Sequence, residues 1–120
     1  MQIRPYQQLV VWKEAHSLCL YSNNLVQSFP SHEKFELCSQ IRRSAYSVPM
    51  NIVEGNAKRT KKDKLRFLSY SEASLEELDY QLLLSKDLKY ISDMEFLKFR
   101  QHIGRVSYLL NQFRLGIKSF

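Results

Sequence analysis

Residues 58–66 read KRTKKDKLR and set six cations, Lys58, Arg59, Lys61, Lys62, Lys64 and Arg66, beside a single carboxylate, Asp63. A local net of +5 is chemistry for an anion, and a repeated anion at short intervals is the phosphate backbone of nucleic acid. Thr60 with Asp63 three residues on is a helix-start signature, so Lys61, Lys62 and Lys64 fall in or beside a first turn. The helix dipole is positive there, and each cation costs on the order of 0.3–1 kcal/mol at low salt. A sequence selected for stability alone would favour acids in that turn. Cations and free amide donors together would instead receive phosphate. No aromatic residue lies within KRTKKDK, and Tyr70 beyond it is expected to pack. Backbone-directed binding with little sequence preference is the expectation.

Arg42 and Arg43 extend the basic set. With Glu54 subtracted, residues 42–66 carry +6, the net charge of the whole chain. The candidate nucleic-acid contacts are therefore Arg42, Arg43, Lys58, Arg59, Lys61, Lys62, Lys64 and Arg66. At about 100° per residue, Arg42 flanks the apolar stripe of its helix and Arg43 points away from it. Tyr46, Met50 and Glu54 share the outward side with Arg43. Arginine, tyrosine and methionine are types enriched at protein interfaces, so Arg43, Tyr46, Met50 and Glu54 form a candidate homo-oligomer interface.

Other chemistries find little support. His16, His32 and His102 share no ligand spacing, and no HExxH, GxSxG or phosphate-cradling glycine loop occurs. Glu72, Glu76, Glu77 and Asp79 have no accompanying histidine and read as a solvated or salt-bridging helix face rather than a metal site. Neither an enzyme, a cofactor nor a metal is expected. Cys19 and Cys38 lack metal-ligand spacing and fall on apolar stripes, as small buried hydrophobes of a reducing cytosol would. No leader peptide or membrane span is expected either, which suits a cytoplasmic protein.

The elements that must position these residues are helical. Three glycines and three prolines in 120 residues are few for an all-β domain. Helix 1 is expected over about residues 6–29, with Val11, Ala15, Leu18, Leu25 and Phe29 inward and Trp12, Cys19 and Val26 widening the stripe. Ser31 is a candidate cap for helix 2, whose inward positions are Cys38, Ile41, Ala45, Val48 and Ile52. Gly55 reads as its left-handed stop. Pro49, which lacks an amide donor and crowds the carbonyl of Ala45, should bend this helix or restart it between residues 47 and 50. Helix 3 opens at Thr60, turns Leu65, Leu68, Leu75, Leu78 and Leu82 inward, and ends near Lys89. Ser92 and Glu95 form a capping box for helix 4. There Phe96, Phe99, Ile103, Val106, Leu110, Phe113, Ile117 and Phe120 recur at alternating spacings of three and four, a heptad seam. Short connections favour antiparallel neighbours, so the fold class is all-α, an antiparallel up-down-up-down four-helix bundle in a single domain, residues 1–120.

Motifs in order along residues 6–78 sharpen this reading. LVVW at 9–12 follows L-x-V-W, and residues 29–43 follow F-P-x-x-E-x-F-x-L-x-x-Q-I-R-R. Residues 47–55 follow S-x-P-x-N-I-A-E-G, with RFL at 66–68 and SLEEL at 74–78 completing the series. This pattern resembles the 23S rRNA intervening-sequence protein family, bacterial four-helix-bundle proteins. Ser44 and Val53 stand where the pattern has alanine, which should leave the fold unaffected. The resemblance implies a bundle that assembles as a homopentameric barrel with a basic surface. It also implies kinship with the accessory variability determinant of diversity-generating retroelements, which partners a reverse transcriptase and binds nucleic acid without strong sequence preference. The leading expectation is a non-enzymatic oligomer that binds nucleic acid. The alternative is a scaffold docking an acidic partner protein, such as a reverse transcriptase, without direct nucleic-acid binding.

Overall fold

The structure is a computed structural model that describes residues 2–119. Its helices are α1 (Val10–Leu25), α2 (Leu37–Ala57), α3 (Lys61–Asp87) and α4 (Asp93–Lys118). No strand occurs among the described residues. Each helix packs against the next, and α4 closes the ring onto α1, giving a four-helix bundle of 46 × 29 × 21 Å. The inward stripes read from the sequence form the core: Ile41, Val48, Ile52, Leu68, Leu78, Leu82, Val106 and Leu110 are fully buried. Phe99, Phe113 and Ile117 pack at its margin. Phe120, the last position of the heptad seam, lies outside the described residues.

Two helix starts form as their caps require. The Thr60 hydroxyl accepts from the Asp63 amide at 3.1 Å, and Ser92 and Glu95 exchange hydrogen bonds of 3.0 Å. The end of α3 is a Schellman turn: Tyr90 N donates to Ser85 O and Lys89 N to Lys86 O, each at 2.9 Å. Lys89 takes the left-handed position there, with φ of 67°.

Several local expectations are corrected. Helix 1 is shorter, because Leu9 is extended and separates α1 from a 3-10 turn at Pro5–Gln8; a second such turn, Val26–Ser28, follows α1. Ser31 does not cap α2; it opens a 3-10 turn, Ser31–Glu33, and α2 begins only at Leu37. The Glu33 carboxylate reaches the Leu37 amide at 3.4 Å and supplies the missing acceptor. Gly55 is no stop signal, since α2 continues to Ala57 and no glycine has positive φ.

Nor does α2 restart at Pro49, which sits inside one continuous helix. Hydroxyls of α3 hold both residues before the proline. Ser71 Oγ donates to the Val48 carbonyl at 2.8 Å, and Ser74 Oγ donates to Ser47 Oγ at 2.7 Å. Burial of Val48 and Ile52 on either side offsets a proline cost of about 3 kcal/mol, since each fully buried aliphatic side chain contributes about 1.5–3 kcal/mol.

Candidate nucleic-acid interface

The turn from α2 into α3 occupies one end of the bundle. Lys61 and Lys62 stand exposed in the first turn of α3, and Arg59 is exposed just before it. None of the three has a carboxylate within 4.0 Å among the described residues. The other cations of the cluster are partly engaged. Lys64 Nζ donates to the Asn56 carbonyl at 3.0 Å, tying α3 back to the last turn of α2. Arg66 lies 3.5 Å from Asp63, a screened surface pair of little energetic weight. Lys58 Nζ sits 4.8 Å above the Phe67 ring and the Arg66 guanidinium 5.4 Å from it, so both cations flank one aromatic face.

Two features of this end escaped the sequence reading. Tyr70, expected to pack, meets Phe67 edge to face at 5.5 Å yet leaves 48% of its surface open. An aromatic face therefore does stand beside the cations; the signal available was the spacing that sets Tyr70 one turn after Arg66 and Phe67. Antiparallel alternation also carries Arg4, ahead of α1, and Lys118, at the close of α4, to this end.

Arg42 and Arg43 do not belong to the cluster. Fifteen residues of helix separate Arg43 from Lys58, about 22 Å along the axis of α2. Arg42 donates to the Lys34 carbonyl at 3.3 Å, at the end where α1 hands over to α2. The candidate contacts thus fall into six residues at one end and two near the other.

On α2, Arg43, Tyr46, Met50 and Glu54 are all exposed. They border different features. Tyr46 and Met50 edge a hollow between α1 and α2 that also contains Trp12 and His16, whose rings stack at 4.7 Å. Tyr46 Oη donates to Asn23 Oδ1 at 3.2 Å. Arg43 instead borders a groove between α2 and α3.

The acidic cluster is partly spent on packing the bundle. Glu72 pairs with Arg114, and Asp79 takes both ends of the Arg100 guanidinium at 2.7 and 3.1 Å, so α3 is stapled twice to α4. Glu14 binds Arg105 at 3.0 Å and tethers α1 to α4. Cys19 and Cys38 are free and buried, and desolvation pushes both thiols above their ordinary value. No described helix is long and apolar enough to cross a membrane.

Comparison with known proteins agrees with the bundle. The sequence matches the family described as 23S rRNA-intervening sequence protein over residues 7–112. No curated protein matches it. Among solved structures, it is similar to a protein of unknown function from the S23 ribosomal protein family of Bacteroides thetaiotaomicron VPI-5482. That likeness has a TM-score of 0.78 at 19% identity, covers 88% of this chain and 98% of the other, and speaks to the fold. With its ordered motifs and its four helices in place, the chain belongs to the 23S rRNA-intervening sequence protein family.

Proposed function

We propose that the protein is a non-enzymatic, cytoplasmic oligomer that binds nucleic acid, with little sequence preference, through the end where α2 turns into α3. The observation that carries this reading is the exposed pair Lys61 and Lys62 in the first turn of α3, with no acidic partner within 4.0 Å among the described residues. They stand against the helix dipole, at a place where a phosphate would meet both side-chain cations and unpaired amides. Contacts of this kind address the backbone and leave the bases unread.

Assembly strengthens such weak contacts. In a homopentamer, the state that the family resemblance suggests, five copies of the basic end would act together on one strand. On the outward face of α2, Tyr46, Met50 and Glu54 are the proposed contact between copies, while Arg43 lies on the side of the α2–α3 groove.

The test is fluorescence anisotropy with labelled RNA and DNA across a salt series, with light scattering on the same samples. Binding should weaken so that log K falls with log salt by about 0.7–0.9 per phosphate neutralised. No binding at low salt would overturn the reading. An acidic protein retained after nuclease treatment, by a chain that ignores nucleic acid, would favour the scaffold instead.

A further inference from the structure

The seam between α2 and α3 carries a polar ladder of which one buried atom, Gln81 Oε1, has no partner among the described residues. Ser47 and Ser74 are joined by a 2.7 Å hydrogen bond, and Ser71 reaches the Val48 carbonyl at 2.8 Å. These contacts fix the antiparallel register. One turn toward the N-terminus of α2 places Arg43 opposite Glu77, and the next turn places Gln40 opposite Gln81. All of these except Ser71 and Val48 border one groove of about 310 Å³, into which Ser44 also opens.

Two features of the groove point to a ligand. Gln81 is 7% exposed, and its Oε1 has no hydrogen-bond partner among the described residues. A carbonyl oxygen only accepts, so the partner it lacks is an N–H or O–H donor. Leaving a buried acceptor bare is destabilising. Second, Arg43 and Glu77 share a rung across the groove, yet neither has an oppositely charged partner within 4.0 Å among the described residues.

We infer that this groove binds a small zwitterion, a free α-amino acid. A simple anion would be drawn to Arg43 and repelled by Glu77; a simple cation would meet the reverse. A molecule carrying both signs satisfies both side chains, its carboxylate on the Arg43 guanidinium and its ammonium toward Glu77. The same ammonium supplies the donor that Gln81 Oε1 lacks once the side chain turns that shielded oxygen toward the groove. The Ser44 hydroxyl can donate or accept as the ligand requires, whereas Ser74 Oγ, whose proton goes to Ser47, can accept. The volume lies at the small end of ligand sites, which span roughly 300–1,000 Å³. The inference is independent of nucleic-acid binding, because the groove lies along the middle and far half of α2, away from the turn into α3.

The experiment is a titration of the isotope-labelled full chain with millimolar glycine, L-serine and L-glutamine, followed by amide NMR. At least one should shift amides within residues 40–47 and 74–81 in a saturable way. Its N-acetyl form, which lacks the cation, and its methyl ester, which lacks the anion, should each bind at least about tenfold more weakly. Arg43→Gln and Glu77→Gln, both at exposed positions, should reproduce those losses in a chain that circular dichroism shows to be folded. Gln81→Met should abolish the shifts. If none of the three amino acids moves these amides, or if the N-acetyl and ester forms bind as well as the parent, the inference is wrong.

Discussion

Gly55 of α2 faces Phe67 of α3 so closely that a methyl group on Gly55 would sit 3.1 Å from the Phe67 Cβ and 3.3 Å from the Lys64 carbonyl. The absence of a side chain is thus what lets the two helices converge just before they join, and it brings Phe67 beneath the cations Lys58 and Arg66. Backbone cannot yield as a flexible side chain can, so the contact is a hard limit.

Gly55→Ala and Gly104→Ala should move stability in opposite directions. Crowding at Gly55 costs about 1–3 kcal/mol, more than the roughly 1 kcal/mol that alanine returns as a helix former. At Gly104 nothing lies within 4 Å of the added methyl, so only the gain of up to about 1 kcal/mol remains. Urea midpoints of the two variants would check the signs. A stabilised Gly55→Ala would show that the helices part freely.

Lys89 holds a left-handed conformation that costs a side-chain-bearing residue about 1–2 kcal/mol. Lys89→Gly keeps the Schellman bonds, because they use the backbone amides of Lys89 and Tyr90. It should raise stability by up to about 1 kcal/mol after the added freedom of the unfolded chain is counted. A thermal or urea melt without an increase would overturn this account.

Lys61→Glu combined with Lys62→Glu should separate stability from binding. Acids in the first turn of α3 favour the dipole by about 0.3–1 kcal/mol each, so the variant should melt higher. The same change removes two phosphate contacts and should shrink the salt slope of nucleic-acid binding by about 1.4–1.8. Equal binding by the variant and the parent would remove this turn from the interface.

Tyr90 should impose an alkaline limit. Its hydroxyl donates to Glu33 Oε2 at 2.8 Å, and that bond, with desolvation and the nearby carboxylate charge, holds the phenol above its ordinary value of 10.0. The folded value is higher than the unfolded one. The contribution is therefore complete below about pH 10 and is lost as pH rises through the folded value. Tyr90→Phe should be less stable than the parent at pH 8 and should lose less than the parent as pH rises above about 10. Parallel declines in the urea midpoints of the two proteins would refute the assignment.

Much of the scaffold was legible from one dimension. Leu68, Leu75, Leu78 and Leu82, or Ile103, Val106 and Leu110, recur at helical spacing, and a helix can bury such a stripe only by presenting it to neighbours. Thr60 and Ser92 were readable because a cap works within three residues of its own position. Ser31 and Gly55 misled for the converse reason. Glu33 rather than Ser31 serves the start of α2, and the demand on Gly55 comes from Phe67, on another helix.

What the sequence by itself determined was a set of four amphipathic helices and a short run of cations in a first turn. Both depend on residues close together in the chain. The tertiary structure alone decided that Arg42 and Arg43 stand near the opposite end from Lys58, because helices extend charge by 1.5 Å per residue, whatever its proximity in sequence. It alone set Arg43 opposite Glu77 and left Gln81 Oε1 bare, since rungs across a seam exist only when two antiparallel helices take a register. That register comes from side-chain packing and from hydroxyls such as Ser71 and Ser74, whose polar character in sequence gave no sign that they would be buried.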